Sequence, residues 1–192
     1  MPIISGAART IMSAPELRPL GLDGLMEIVP RRHGDVRGYF AEVWRDGWIE
    51  GVRFVQDNHS LSRMTGTLRG LHFQLDPAAQ AKLVRVVAGA VFDVAVDVRP
   101  GSPSFGQWAG ATLTAERGNM LFVPAGFAHG YATLEPDSEV AYKASATYDP
   151  ALERVIRWDD PAIAIDWPLA GPPILSPRDA AAPTLADIRH EL

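Results

Sequence analysis

Apolar and polar residues alternate along most of this chain, in short runs. The clearest run is Phe92–Arg99, where Phe92, Val94, Val96 and Val98 share one side of an extended chain and Asp93 and Asp97 the other. Leu25–Pro30, Tyr39–Trp44, Lys82–Val87, Trp108–Thr114, Asn119–Val123, Tyr131–Leu134 and Ser138–Ser145 read as further strands, rich in β-branched and aromatic residues. Between them, Arg31–Gly38, Asp76–Ala79, Arg99–Pro103 and Glu135–Asp137 carry the Gly, Pro and Asp of turns. Arg45–Gly51 reads as a single helical turn, and the tail Thr184–Leu192 as helical. Short strands with a turn signal about every ten residues predict an all-β sandwich or barrel.

One stretch departs from simple alternation. Phe54–Gln74 sets His59, His72, Arg63, Arg69 and the triplet Gln56-Asp57-Asn58 among Phe, Val and Leu at strand-like spacing. Polar side chains in such company suit a strand that lines a cavity. Arg69, a fixed cation, precedes His72, a potential base, by three residues; that pairing suits an anionic substrate that must lose a proton. Positions 69 and 72 have opposite parity on a regular strand, so both enter one cavity only if the strand is irregular. Gly70 permits a bulge, and one is expected there.

Composition narrows the class. A chain of 192 residues with 47% hydrophobic content builds one domain with a real core. The domain is placed at 21–192, with residues 1–20 as an extension or a segment exchanged with a neighbour. Sixteen Pro and 17 Gly, spread evenly, indicate many turns and no single linker. The absence of cysteine excludes disulfides and thiol nucleophiles. A net charge of −5 argues against nucleic-acid binding. No apolar run approaches the roughly 20 residues of a membrane span, and the N-terminus lacks a basic start followed by an apolar block. A cytoplasmic location is expected.

Pro124-Ala125-Gly126-Phe127-Ala128-His129-Gly130 fits the Pro-x-Gly-x-x-His signature of a cupin, the double-stranded β-helix or jelly-roll barrel. Metal-binding cupins add a His-x-His pair and a Glu. Here Gly70–Gln74 supplies one His, so the ligand set is incomplete and no metal or other cofactor is expected, with His59, His72 and His129 as the imidazoles that would have to converge.

Further motifs follow in order: Asp35–Glu42, Phe54–Ser60, Leu68–Gln74, Gln80–Val84, Phe92–Arg99, Ser102–Gly106, Pro124–Gly130, Tyr142-Lys143, Tyr148–Pro150, Trp158–Asp160 and Leu175–Asp179. In these the chain closely resembles the dTDP-4-dehydrorhamnose 3,5-epimerase family, metal-free cupins of deoxysugar biosynthesis. The resemblance implies a homodimer whose subunits exchange N-terminal strands. It implies the substrate dTDP-4-dehydro-6-deoxy-glucose, a dTDP-4-keto-6-deoxyhexose whose C3 and C5 hydrogens flank a C4 ketone. Loss of either proton gives an enolate, and inversion needs a base on one face of the sugar and an acid on the other. His72 matches the family base, Asp179 its carboxylate partner, Tyr142 the opposing acid, and Lys82 the cation near the developing O4 charge. Arg37, Glu42, Gln56, Asn58, Arg69, His129, Glu153 and Arg178 match positions for the nucleotide, and Phe40 is assigned to packing on base or sugar. Arg178 stands where the family carries Lys, which keeps the charge and changes its geometry.

Each residue has a plainer reading. His72 alone suits a satisfied core histidine, Tyr142 a strand aromatic, Lys82 and Arg69 surface charges, Glu42 and Glu153 solvated carboxylates, and Asp179 a helix cap. Asp93, Asp97, Asp159 and Asp160 are read as structural. Ser60 and His129 have the makings of a Ser/His pair, but the Gly-x-Ser-x-Gly elbow is missing. Other functions fit part of the pattern: an epimerase of C3 alone or C5 alone, a metal-dependent cupin oxygenase or isomerase, and a non-catalytic sugar-nucleotide-binding module.

Overall fold

A computed structural model describes residues 14–192. Two antiparallel sheets face each other, with the alternating strands supplying both inner walls. The six-stranded sheet runs β1 (Glu16–Pro19), β2 (Met26–Val29), β10 (Met120–Val123), β7 (Lys82–Ala88), β12 (Ser138–Ala144), β5 (Gln56–Ser62). The five-stranded sheet runs β13 (Glu153–Val155), β6 (Leu68–Gln74), β11 (Phe127–Thr133), β8 (Ala90–Asp97), β9 (Trp108–Thr114). A separate hairpin joins β3 (Arg32–Asp35) to β4 (Gly38–Ala41). This is the all-β jelly-roll architecture expected of a cupin. No helix among the described residues is long and apolar enough to cross a membrane.

The alternation on β8 has an instructive outcome. Its face with Val94 and Val96 packs away from the barrel, beneath the C-terminal segment that carries Ile156, Ile163, Trp167, Leu185 and Ile188. Its other face, with Val91, Asp93 and Ala95, looks into the barrel, where Val91 and Ala95 meet Val84, Val86, Leu121 and Val140 of the opposing sheet. The two aspartates are therefore interior, and Asp97 is bound by Arg99, Ser102 and Ser104 as the anchor of the following turn. A third cluster, with Ile49, Leu83, Met120 and Phe122, closes part of the outer surface of the six-stranded sheet.

Several expected boundaries move. Arg31–Gly38 is half of a hairpin and not a simple turn, because Arg32–Asp35 pair with Gly38–Ala41. Arg45–Gly51 forms turns without a helix. Strand β11 begins at Phe127, ahead of the expected Tyr131, since the chain re-enters the sheet opposite Asp97 directly after the Pro124–Gly126 turn. Strand β13 and the helix α1 (Pro177–Ala180) were not anticipated; each is too short for a periodic signal. The tail holds a helix α2 (Leu185–Ile188), opened by a capping box of Thr184 and Asp187, and a 3-10 turn at Arg189–Glu191. Of the supposed extension, Glu16–Pro19 pair with Met26–Val29 of the same chain, and residues 1–13 lie outside the described residues.

Candidate active site

The expected irregularity at Gly70 is present. On β11, His129 pairs with His72 and Tyr131 with Arg69, so three steps along β6 face two along β11. The extra residue is a bulge. Gly70 has φ +126°, and a Cβ there would lie 2.6 Å from Gly130 Cα and 2.8 Å from the His129 carbonyl oxygen. Only glycine fits. The bulge gives Arg69 and His72 the same inward direction, and both line a cavity of about 290 Å³ between the sheets.

His72 is held from behind. Its Nε2 lies 2.7 Å from Asp179 Oδ1. Asp179 sits in α1, whose cap Ser176 accepts from the Asp179 N–H and donates to Asp179 Oδ2 at 2.9 Å. Burial would raise the Asp179 carboxyl, but the His72 hydrogen bond and charge, Ser176 and the Gly70 N–H together hold it below the usual carboxylate range. An ionised Asp179 accepts, so His72 Nε2 carries the hydrogen and Nδ1 keeps its lone pair. One third of the His72 side chain remains open to solvent, at 34% exposure, whereas Asp179 is buried.

A second His–Asp pair lies beside the first. His129 Nε2 is 2.8 Å from Asp93 Oδ1, and both residues are buried. Burial pushes Asp93 above the ordinary carboxylate range, against the pull of His129 and Lys82, and its Oδ2 has no hydrogen-bond partner. Lys82 enters from β7 on the opposing sheet. Burial lowers its pKa to about 8, with Glu153 and Asp93 opposing the fall. A lysine so placed is a cation near neutrality that gives up its charge easily.

Tyr142 also comes from the opposing sheet, on β12, and lines the same cavity as His72. Burial raises its phenol, Tyr131 and Glu153 add to the rise, and Arg69 opposes it. Arg69 itself donates to Ser62 Oγ and to the Leu61 carbonyl, both at 3.2 Å. At the mouth, Arg178 pairs with Glu153, and Tyr148 Oη donates to the same Glu153 oxygen at 2.8 Å. Gln56 supports this rim from behind, accepting from the Tyr148 N–H at 2.9 Å.

The cavity thus gathers His72, Tyr142, Asp179, Lys82, Arg69, His129, Glu153 and Arg178. It does not gather Arg37, Phe40 or Glu42. Arg37 is spent on Asp35 at 2.5 Å, in the turn of the β3–β4 hairpin, and Phe40 is 64% exposed on that hairpin. Glu42 pairs with Arg45. Asn58 accepts from Gln56 and borders a separate hollow of about 420 Å³, with His59, Arg85 and Lys143 among its lining residues. His59 faces that hollow and pairs with Glu139, so the three imidazoles do not converge. Among the described residues, no group of three or more His, Cys, Asp or Glu is placed to hold a metal.

Ser60, Tyr131 and Tyr148 also line the cavity, although none is among the site residues expected from the sequence, and Asp93, expected to be structural, holds His129 at the cavity wall. Parity held the signal for Tyr131: two residues from His129 on one strand, it shares that face. Ser60 finds its partner in Tyr131, at 2.8 Å, and not in His129.

A sequence profile described as dTDP-4-dehydrorhamnose 3,5-epimerase matches residues 19–187. A dTDP-4-dehydrorhamnose 3,5-epimerase of Sinorhizobium fredii is 53% identical over 165 residues, 84% of this chain and 85% of that one. A dTDP-4-dehydrorhamnose 3-epimerase of Streptomyces niveus is 43% identical over 90% of this chain and 85% of its own. The crystal structure of a dTDP-6-deoxy-D-glucose-3,5-epimerase from Legionella pneumophila, in complex with dTDP-4-keto-L-rhamnose, superposes with a TM-score of 0.88 at 46% identity, covering 92% of this chain and 96% of that one. By profile, sequence and fold, this chain belongs to the dTDP-4-dehydrorhamnose 3,5-epimerase family of isomerases.

Proposed function

We propose that the cavity epimerises dTDP-4-dehydro-6-deoxy-D-glucose at C3 and C5, giving dTDP-4-dehydro-L-rhamnose. The observation that carries this reading is that His72 and Tyr142 stand on facing walls. His72 stands on the five-stranded sheet and Tyr142 on the six-stranded sheet, with one cavity between them. Inversion at carbon needs that opposition, because the proton leaves one face and returns to the other. His72 Nδ1 takes the proton, and Asp179 stabilises the imidazolium. Lys82 offsets the negative charge that develops on O4 of the enolate. Tyr142 delivers a proton to the opposite face. A second round at the other carbon completes the change. Arg69 and Arg178 hold the diphosphate, and Tyr148 and Glu153 order the rim around the nucleotide.

The positions of Arg37 and Phe40 favour a homodimer. Arg37 matches a ligand position of the family and Phe40 is assigned to packing on base or sugar, yet both stand on an exposed hairpin outside the cavity of their own chain. A second copy allows that hairpin to complete the neighbour's site, and a closed two-fold pair lets each copy serve the other. The same pairing covers exposed sheet edges.

Substitution tests the roles. His72→Ala and Tyr142→Phe are each expected to lower kcat by about 10²–10⁴-fold, with dTDP binding within a few-fold of wild type. Full turnover in either variant contradicts the assignment. A single-carbon epimerase is favoured over this reading only if the product retains the original configuration at C3 or C5.

A further inference from the structure

Each inversion leaves the cavity in the wrong protonation state for the next. A proton passes from carbon to His72, and another passes from Tyr142 to carbon. The enzyme then holds an imidazolium and a phenolate, and the second carbon cannot be inverted until both are reset. The imidazole is partly open to water. Tyr142 is half-buried and lines the same cavity as Tyr131, Arg69 and Glu153, and among the described residues no side chain hydrogen-bonds its hydroxyl.

Tyr131 is nearly fully buried on the wall opposite Tyr142, and its hydroxyl lies 2.8 Å from Ser60 Oγ. Either oxygen can be the donor. Ser60 Oγ also lies 3.4 Å from the Val140 carbonyl, which gives its hydrogen a second resting place. With Ser60 turned to Val140, Tyr131 donates to Ser60. With Ser60 turned to Tyr131, the Tyr131 hydrogen is released towards the cavity. Ser60 belongs to β5, an edge strand, and shares the inner face of its sheet with Tyr142, on the next strand.

We propose that the Tyr131–Ser60 hydroxyl pair re-protonates Tyr142 between the two inversions. Tyr131 gives its proton to the Tyr142 phenolate, takes one from Ser60, and Ser60 is replenished from water at the sheet edge. His72 returns the matching proton to solvent, so the cycle is balanced. Burial holds both phenols above their ordinary range, so each remains protonated at rest and the pair is loaded before each turnover. Tyr131 acts through Tyr142 and is a positioning residue. The inference rests on the double-epimerase reading.

Single-turnover NMR in deuterium oxide, with enzyme in excess over dTDP-4-dehydro-6-deoxy-glucose, separates the two rounds. In Tyr131→Phe, the first carbon is expected to take deuterium at the wild-type rate and the second about tenfold more slowly, so that a singly inverted sugar accumulates. Ser60→Ala is expected to shift the balance the same way, and Ser60→Thr, which keeps the hydroxyl, to restore it. Equal slowing of both carbons in Tyr131→Phe, or no change at either, overturns the relay while leaving the epimerase reading standing. Wild-type enzyme that labels one carbon or none removes that reading and the relay together.

Discussion

Lys82 shows how a single side chain ties function to stability. Its ammonium is buried, and its pKa falls to about 8 because burial disfavours the charge. An unfolded chain keeps that proton to about pH 10.4. Between those values the unfolded chain binds more protons, so stability rises as pH rises. On the proposed mechanism activity moves the other way, since the enolate would lose its counter-charge as Lys82 deprotonates. The rate is therefore expected to fall above pH 8 while the fold gains stability, read by initial rates and by denaturant titration across pH 7–10. Lys82→Met is expected to lose activity and to gain about 1–3 kcal/mol of stability at pH 7. At this scale the proposed catalytic set was legible through the family resemblance, since residue chemistry alone also suited a core histidine, a strand aromatic, a surface charge and a helix cap. His72, Asp179, Tyr142 and Lys82 meet in one cavity as expected. Asp93 was not legible, because alternation reveals that two faces differ and not which one looks inward. The valine face of β8 is covered by a C-terminal segment of little regular structure, and that cover turns the aspartate face into the barrel wall.

The decisive element is the β6 bulge. Arg69 and His72 could not share a cavity on a regular strand, and the register against β11 shows the extra residue between them. Gly70 and Gly130 press backbone against backbone there: a Cβ on Gly130 would meet the Arg69 carbonyl oxygen at 2.8 Å. Gly70→Ala is expected to cost about 2–4 kcal/mol of stability and to remove the inward aim of His72, with unfolding and turnover measured on the same preparation. Wild-type stability in that variant contradicts the close packing. The bulge was predictable from parity and one glycine. Helix α1 was not, since a four-residue helix carries no periodic signal, although Ser176-Pro177 marks its start. That short helix matters, because it fixes Asp179 behind His72.

Across the whole molecule, the barrel was legible from short strands and evenly spaced turns. The location of Arg37 and Phe40 was not. Their ligand assignment came from resemblance, and the structure places them on a hairpin away from their own cavity. A homodimer that shares hairpins makes a sharp prediction. Protein carrying Arg37→Ala and Phe40→Ala, and protein carrying His72→Ala, are each expected to be nearly inactive. Mixed and re-equilibrated, they form heterodimers with one intact cavity and one intact hairpin facing it, and activity returns. No recovery in a mixture shown by native mass spectrometry to contain heterodimers contradicts the shared site.

On the proposed mechanism, one cavity removes and returns protons at both carbons beside the ketone. The most direct measurement is NMR of the wild-type protein with dTDP-4-dehydro-6-deoxy-glucose in deuterium oxide. Deuterium at both C3 and C5, with formation of the L-sugar, is the predicted result; substrate that stays unlabelled at both carbons while bound to the protein would contradict it.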